Sequence, residues 1–386
     1  MTSDCLFIWS SPLQTKQSWY VNNVSMCGVR GVIASLTDGY QAKLVSVDTG
    51  TGKTAAKWNQ MSSTTIVSMD YSHTKQVSFA FDKDGGIWQL DLRSNDICQN
   101  RSSMFPNESA ENCVHYGTIS NDGHSIAIAL TFANEPTKAT NKKKKKRQGG
   151  GDQSSDSDVE SVEPFTHSVQ LWDARNMASC LHSYNQIHND DIQSLTFSSD
   201  QPHLLASGGA DGLVNVFDSR IVNEDDALQS TIPMESSVNR VGFLSSNRAF
   251  AITDDNCFSL LRINSADDID VISRKKQPFN GKFIVDILDC DQSDCFYVME
   301  SSGEGHATVH MVTNNGSEIS VVREYSVHKD LVRCVDYDLN QRLMVSGGDD
   351  ARIVGCELLP PNTDLFVAKS KPKMKGSSLK RKPYAR

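Results

Sequence analysis

The sequence predicts an all-β protein, a closed ring of seven four-stranded sheets interrupted by one disordered insertion and followed by a basic, disordered tail. Three observations carry this. A strand–turn–strand frame recurs about every 45 residues. Its first strands and its closing residues each number seven. An isolated N-terminal strand is left over to complete the last sheet.

The frame is clearest from His188 to Asp218. Ile192–Phe197 and Leu205–Gly209 read as strands, the Asp211-Gly212 pair fits a tight hairpin, and Leu213–Asp218 follows as a third strand. The same frame returns at His328, with Leu331–Tyr337, Leu343–Gly348, Asp350 and Arg352–Glu357. Weaker copies close on Asp48, Asp91, Asp173, Asp218, Arg262, Val312 and Glu357, in steps of 43, 82, 45, 44, 50 and 45 residues. The long step contains a low-complexity insertion, residues 134–166, which brings it near the others. First strands are predicted at Trp19–Val24, Ile66–Tyr71, Cys113–Ile119, Ile192–Phe197, Val238–Phe243, Phe283–Leu288 and Leu331–Tyr337.

An open ring would expose a strand edge. The last frame offers three strands and then Leu358-Leu359-Pro360-Pro361, which stops pairing. The run Asp4–Trp9 supplies the missing outer strand. The expected organisation is therefore residues 1–133 for the first three sheets, with 1–9 closing the seventh. Residues 134–166 form the insertion, 167–366 the remaining sheets and 367–386 the tail.

With 386 residues, 38% of them hydrophobic, one closed all-β unit can bury a real core. The chain start has no basic flank and no apolar run, so no signal peptide or transmembrane helix is expected. The protein is expected to be soluble and intracellular. Ten cysteines are scattered from Cys5 to Cys356 without a C-x-x-C pair, and Cys290 and Cys295 are the nearest neighbours. They read as reduced thiols rather than a disulfide framework. No ligand spacing suits a structural metal. His306 and His310 stand four apart with no two further ligands beside them, so neither a metal nor a cofactor is expected.

The net charge of −9 hides local extremes: Lys142–Arg147 is six consecutive basic residues, and Lys369–Arg386 holds eight basic residues and no acid. The insertion has almost no apolar residue before Val159 and cannot offset the entropy of ordering. Ser155 and Ser157, each with an acid three residues on, are candidate phosphorylation sites, where each phosphate adds about −1.5 to −2 charge. The basic runs suit a nuclear or nucleolar address, and a weak, salt-sensitive contact with nucleic acid. Apart from Tyr384 they carry no aromatic for base stacking.

The frame resembles the WD-repeat family, whose units run from a Gly-His pair to a Trp-Asp pair. The chain keeps His188 and His328, but Ile187 and Val327 stand where the family has Gly. Leu171-Trp172-Asp173 keeps the literal Trp-Asp, while Leu90, Phe217, Leu261 and Cys356 occupy the Trp position elsewhere. The resemblance implies a closed seven-bladed β-propeller of the WD40 type. It also implies an interior network of Asp, His, Ser or Thr, and Trp. That network maps onto Asp211, His188 and Ser207, ending at Phe217, and onto Asp350, His328 and Ser346, ending at Cys356. An Asp–His–Ser set also suggests a hydrolase triad. With the Asp in a hairpin turn and the Ser mid-strand, the structural role is favoured; no catalytic residue and no enzyme activity are expected.

The resemblance points to a scaffold for protein–protein interaction, a monomeric propeller working within a complex and away from membranes. Three frames end in Asp-x-Arg, placing Arg93, Arg175 and Arg220 on the face opposite the insertion. In the family, paired motifs of this kind are associated with docking to the adaptor of cullin-4-type ubiquitin ligases, which makes a substrate receptor the alternative function. A nucleolar ribosome-assembly factor is a second alternative, motivated by the basic runs.

Overall fold

The computed structural model describes residues 7–12, 19–28, 31–58, 65–92, 94, 96–101, 104–134, 164–265, 268–276, 282–290, 295–313 and 315–357. The insertion between 135 and 163 with Ser155 and Ser157, the tail from 358 onward, and Arg93 lie outside the described residues.

The described chain forms seven four-stranded antiparallel sheets, the blades of a propeller. After β1 (Phe7–Pro12), blade one is β2 (Tyr20–Met26), β3 (Val32–Thr37), β4 (Ala42–Val47) and β5 (Thr54–Trp58). Blade two is β6 (Ile66–Ser72), β7 (Val77–Asp82), β8 (Gly86–Asp91) and β9 (Asp96–Arg101). Blade three is β10 (Cys113–Ile119), β11 (Ser125–Ala133), β12 (Phe165–Asp173) and β13 (His182–Tyr184). Blade four is β14 (Ile192–Phe197), β15 (Leu204–Gly209), β16 (Leu213–Asp218) and β17 (Leu228–Pro233), with the single-turn helix α1 (Glu224–Ala227) before β17. Blade five is β18 (Val238–Leu244), β19 (Arg248–Thr253), β20 (Cys257–Ser265) and β21 (Asp268–Lys275). Blade six is β22 (Phe283–Asp289), β23 (Phe296–Ser301), β24 (Ala307–Thr313) and β25 (Glu318–Tyr325). Blade seven is β26 (Val332–Asp338), β27 (Leu343–Gly348), β28 (Arg352–Glu357) and, from the other end of the chain, β1. No described helix is long and apolar enough to cross a membrane.

Burial follows position in the blade. Every residue of β3, β7, β15, β19, β23 and β27 is buried, because a second strand has another blade on each face. Such strands read as continuous apolar or small-residue runs, such as VSFAFD and RAFAIT. The outer strand β5 alternates instead, half facing solvent.

All seven first strands share one irregularity, a register shift just after their start: Val21/Asn23, Ile66/Ser68, Val114/Tyr116, Ile192/Ser194, Val238/Arg240, Ile284/Asp286 and Val332/Cys334. The residue before each bulge is β-branched and buried, from Val21 at 0% exposure to Ile284 at 9%. A bulge raises local twist and bends the strand, which suits an inner strand turning along the ring axis.

The core is divided into seven apolar clusters, one at each seam between neighbouring blades, including the seam of blade seven with blade one. At that closing seam Val21, Val32, Val45 and Val47 pack with Leu343, Val345 and Ile353. Beside it, β1 pairs with β28 from Phe7↔Cys356 to Pro12↔Arg352. This strand lies three residues further along than the run Asp4–Trp9; as the outer edge of its blade it accommodates Pro12, which has no N–H to donate.

Two further differences from the sequence reading have local causes. Phe165 and Thr166, assigned to the insertion, are strand residues that pair with Ala133 and Phe132. Cys290 and Cys295, expected as reduced thiols, form a disulfide with Cα atoms 6.3 Å apart. Antiparallel pairing of Asp289 with Phe296 brings the two flanking cysteines opposite each other, and this corrects the reading of all cysteines as thiols.

Deleting residues 1–12 strips the outer strand from blade seven and bares the β28 edge. Scanning calorimetry is expected to show a melting temperature lower by several degrees. An unchanged melting temperature refutes the role given to β1 in closing the ring.

Candidate functional site

The described polar groups with chemical potential fall into three settings: the interior of blades four and seven, the rim after β12 and β16, and the central channel.

In blade four, His188 Nδ1 lies 3.0 and 2.9 Å from the two Asp211 oxygens, and its Nε2 lies 2.7 Å from Ser207 Oγ. Asp211 also accepts the backbone N–H of Asn189 and of Leu213. Burial opposes the Asp211 charge, but the hydrogen bond and charge of His188 together with the Asn189 and Leu213 N–H groups outweigh it and keep the carboxyl below its usual range. Gly212, at φ +78°, makes the hairpin that presents this carboxylate, and a side chain there would crowd the Ser236 carbonyl. Blade seven repeats the arrangement: His328 Nδ1–Asp350 is 3.0 Å and His328 Nε2–Ser346 is 2.9 Å.

The network ends differently from the family pattern. Phe217 has no donor and stacks on Tyr184 at 5.4 Å between centroids. Asn215, not anticipated from the sequence, donates to the Ile187 carbonyl at 2.7 Å and approaches His188 Nε2 at 3.2 Å. Blade three keeps the literal Trp172, yet its indole N–H has no hydrogen-bond partner among the described residues. Ser207 is 0% exposed and Ser346 3% exposed, so neither hydroxyl offers a substrate an approach. The geometry is that of mutual satisfaction inside a sheet.

At the rim, Arg175 forms a two-point pair with Asp173, at 2.9 and 2.7 Å, and Arg220 forms the same pair with Asp218, at 2.9 and 2.5 Å. The guanidinium holds Asp173 down to about 2 and keeps Asp218 below its usual range. Both arginine side chains are 67% exposed, but their charge is balanced within their own blades. Nine residues of β12 separate this rim from the hairpin that carries the insertion, about 30 Å of strand.

The channel was not visible in the sequence. Its cavity of about 320 Å³ is lined by first-strand residues, including Asp70, Tyr116, Arg240, Asp286 and Asp336. These groups tie blades together. Asp70 accepts from Thr118 Oγ1 at 2.6 Å and from the Ile119 N–H at 3.0 Å, across the seam of blades two and three. Asp336 accepts the Met26 N–H at 2.7 Å across the closing seam, and Arg240 pairs with Asp286 at 2.6 Å between blades five and six. Burial, reinforced by the neighbouring Asp286 and Asp70 carboxylates, pushes the Asp336 carboxyl up to about 7.

Two outcomes follow. Asp211→Ala leaves His188 without its acceptor and is expected to cost ~1–3 kcal/mol in denaturant unfolding; an unchanged midpoint refutes the network's structural role. For Asp336, the folded pKa lies above the ordinary value of 3.8, so the folded state binds more protons between about pH 4 and pH 7. Its contribution to stability therefore falls as pH rises through that window. Melting temperatures at pH 5 and pH 7.5 are expected to differ in favour of pH 5 by more in the wild type than in Asp336→Asn; equal differences contradict the assignment.

Comparison with known proteins agrees with this architecture. The family model described as "WD domain, G-beta repeat" matches residues 178–218 and 319–354, which contain the two His–Ser–Asp networks. The chain is 24% identical over 204 residues to an uncharacterized WD repeat-containing protein of Schizosaccharomyces pombe, covering 47% of this chain and 60% of that one. It is 37% identical over 79 residues to WD repeat-containing protein GTS1 of Arabidopsis thaliana, covering 20% and 19%. It is 22% identical over 219 residues to WD repeat-containing protein 89 homolog of Dictyostelium discoideum, covering 53% and 61%. The matches thus span less than two thirds of these relatives' lengths. Repeats, relatives and ring agree: the chain carries WD40 repeats, is similar to WD repeat-containing proteins, and folds as a seven-bladed β-propeller.

Proposed function

We propose that this propeller is a non-catalytic scaffold that binds protein partners through its rims and acts in the nucleus. One observation carries the scaffold reading: the Asp–His–Ser sets that could suggest chemistry are buried and consumed within their own blades. What remains outward is a rigid ring presenting loops, the usual seat of recognition.

The substrate-receptor reading draws on the rim after β12 and β16. Arg175 and Arg220 hold identical stances on adjacent blades, each fixed by its Asp and two-thirds exposed. A planar fork held in place loses little freedom on meeting a partner. Each pair spends two of the five N–H donors of its guanidinium and leaves the others for an incoming carbonyl or carboxylate.

Affinity capture of the full-length protein tests both readings. Under the receptor reading, a cullin-type adaptor co-purifies and Arg175→Ala with Arg220→Ala removes it, while the melting temperature moves by less than a degree or so. A lowered melting temperature with no adaptor in either sample defeats the receptor reading. Recovery of no stoichiometric protein partner at all defeats the scaffold reading.

The nuclear reading rests on the basic runs. Neutralising Lys142–Arg147 together with Lys380–Lys382 in a fusion too large for passive passage is expected to shift it to the cytoplasm. A fusion that stays nuclear contradicts that reading.

A further inference from the structure

Blade three leaves one stretch of strand edge without a neighbour among the described residues. β8 and β24 pair with their outer strands along their whole length. β12, nine residues long, pairs with β13 only at Val169, Gln170 and Leu171. The reason lies in blade four. The Glu224 carboxylate accepts the Asn185 and Gln186 N–H groups at 2.9 and 2.6 Å, which draws the chain after β13 away from β12.

The direction of the bare groups follows from the ladder. The Pro164 carbonyl accepts the Asn134 N–H, and the Ala174 N–H donates to the His124 carbonyl, so the even-numbered residues of β12 face β11. Pairing with β11 is unbroken from Ser125↔Asp173 to Ala133↔Phe165. Alternation then turns the N–H and C=O of Phe165 and His167 outward, to the side on which the Leu171 carbonyl accepts the Leu181 N–H. No hydrogen bond to these four groups is made among the described residues. The opposite edge of the same hairpin is closed. Past the end of β10, the Ala133 N–H donates to Asn112 Oδ1 at 3.0 Å and its carbonyl accepts from Asn107 Nδ2 at 2.8 Å. Asparagine side chains thus cap one edge, while the other stays open at two partly exposed residues.

We propose that the outer edge of β12 at Phe165 and His167 docks an extended, basic segment of a protein partner, which adds a strand to blade three. An open edge offers two N–H donors and two C=O acceptors in line, and an extended backbone is the group that matches them. Charge selects the side chains. Residues directly opposite each other across a ladder share a face, with Cβ atoms about 4.5–5.5 Å apart. The residue docked opposite His167 therefore lies on the face that carries Asp190 and Asp191. One carboxylate oxygen of each and a ring nitrogen of His167 all lie within 4.8 Å of one another. Asp190 is exposed, the Asp191 side chain is 45% exposed, and no described lysine or arginine pairs with either. A lysine or arginine docked there meets both carboxylates. The residue two places away, opposite Phe165, meets an aromatic ring and is apolar. The proposal rests on the scaffold reading and gives it one surface and one class of partner.

The test uses the full-length protein and a fluorescent synthetic peptide of about ten residues in which threonine alternates with valine and lysine. Without peptide, amide exchange followed by NMR is expected to be at least about tenfold faster at Phe165 and His167 than at Thr166 and Ser168, since only the outward amides lack a partner. Saturating peptide is expected to slow Phe165 and His167 at least about tenfold. Exchanging the peptide's lysines for glutamates, or methylating its backbone nitrogens, is expected to weaken binding at least about tenfold. Asp190→Lys, at an exposed loop position, is expected to weaken the lysine peptide and restore the glutamate peptide, with an unchanged melting temperature. Slow exchange at Phe165 and His167 in the protein alone, absence of lysine-peptide binding, binding that leaves those two amides fast, or equal affinity for the lysine and glutamate peptides would each overturn the proposal. Binding that appears only after residues 140–158 are deleted makes the chain's own insertion the occupant and overturns it too. None of these outcomes touches the scaffold reading, which falls only if affinity capture returns no stoichiometric partner.

Discussion

Each blade of this protein is apolar on both faces, and that constraint shapes everything else. A second strand such as β7 or β19 buries all its residues only if another blade covers it on either side. No blade can therefore satisfy itself, and a row of blades leaves two bare faces at its ends. Closing the row into a ring removes both. The seven apolar clusters sit at the seven seams rather than within the blades. Polar groups follow the same plan: Asn22 to the Ile66 carbonyl, Asp70 to Ile119, Thr131 to Asp191, Ser194 to Val241, Arg240 to Asp286, Ser301 to Val332 and Asp336 to Met26 give every seam a hydrogen bond or ion pair.

With the seams carrying the ring, the repeat inside each blade is released to drift. Blades four and seven keep the Asp–His–Ser half of the family network and lack the tryptophan. Blade three keeps the tryptophan without a partner for its N–H among the described residues. Blade two substitutes a different device: Trp88 donates to Asp82 at 2.9 Å, and the same carboxylate accepts the Gly86 N–H at 2.7 Å to hold the hairpin. Local hairpin satisfaction has been solved in several ways, whereas the buried β-branched residue before each inner-strand bulge is present in all seven.

What was legible in the sequence follows from the same physics. A buried inner strand needs alternation around a fixed β-branched position, so all seven first strands could be read within a residue or two of their observed starts. His188, Asp211 and Ser207 stand within 23 residues of one another and were readable as a unit. The channel groups were not, because Asp70, Arg240, Asp286 and Asp336 belong to four blades and meet only when the ring closes. At the rim the cause is local: Asp173 and Asp218 stand two residues before Arg175 and Arg220 and take up their forks, so each Asp-x-Arg is internally neutral.

The claim that the seams make the ring one cooperative unit is tested most directly by native-state hydrogen exchange. If closure governs stability, amides of β3 and β27 at the closing seam exchange with the same free energy as those of β15 on the far side, all at the global unfolding value. If β3 and β27 open at a clearly lower free energy while β15 stays protected, blades unfold independently and the account is wrong.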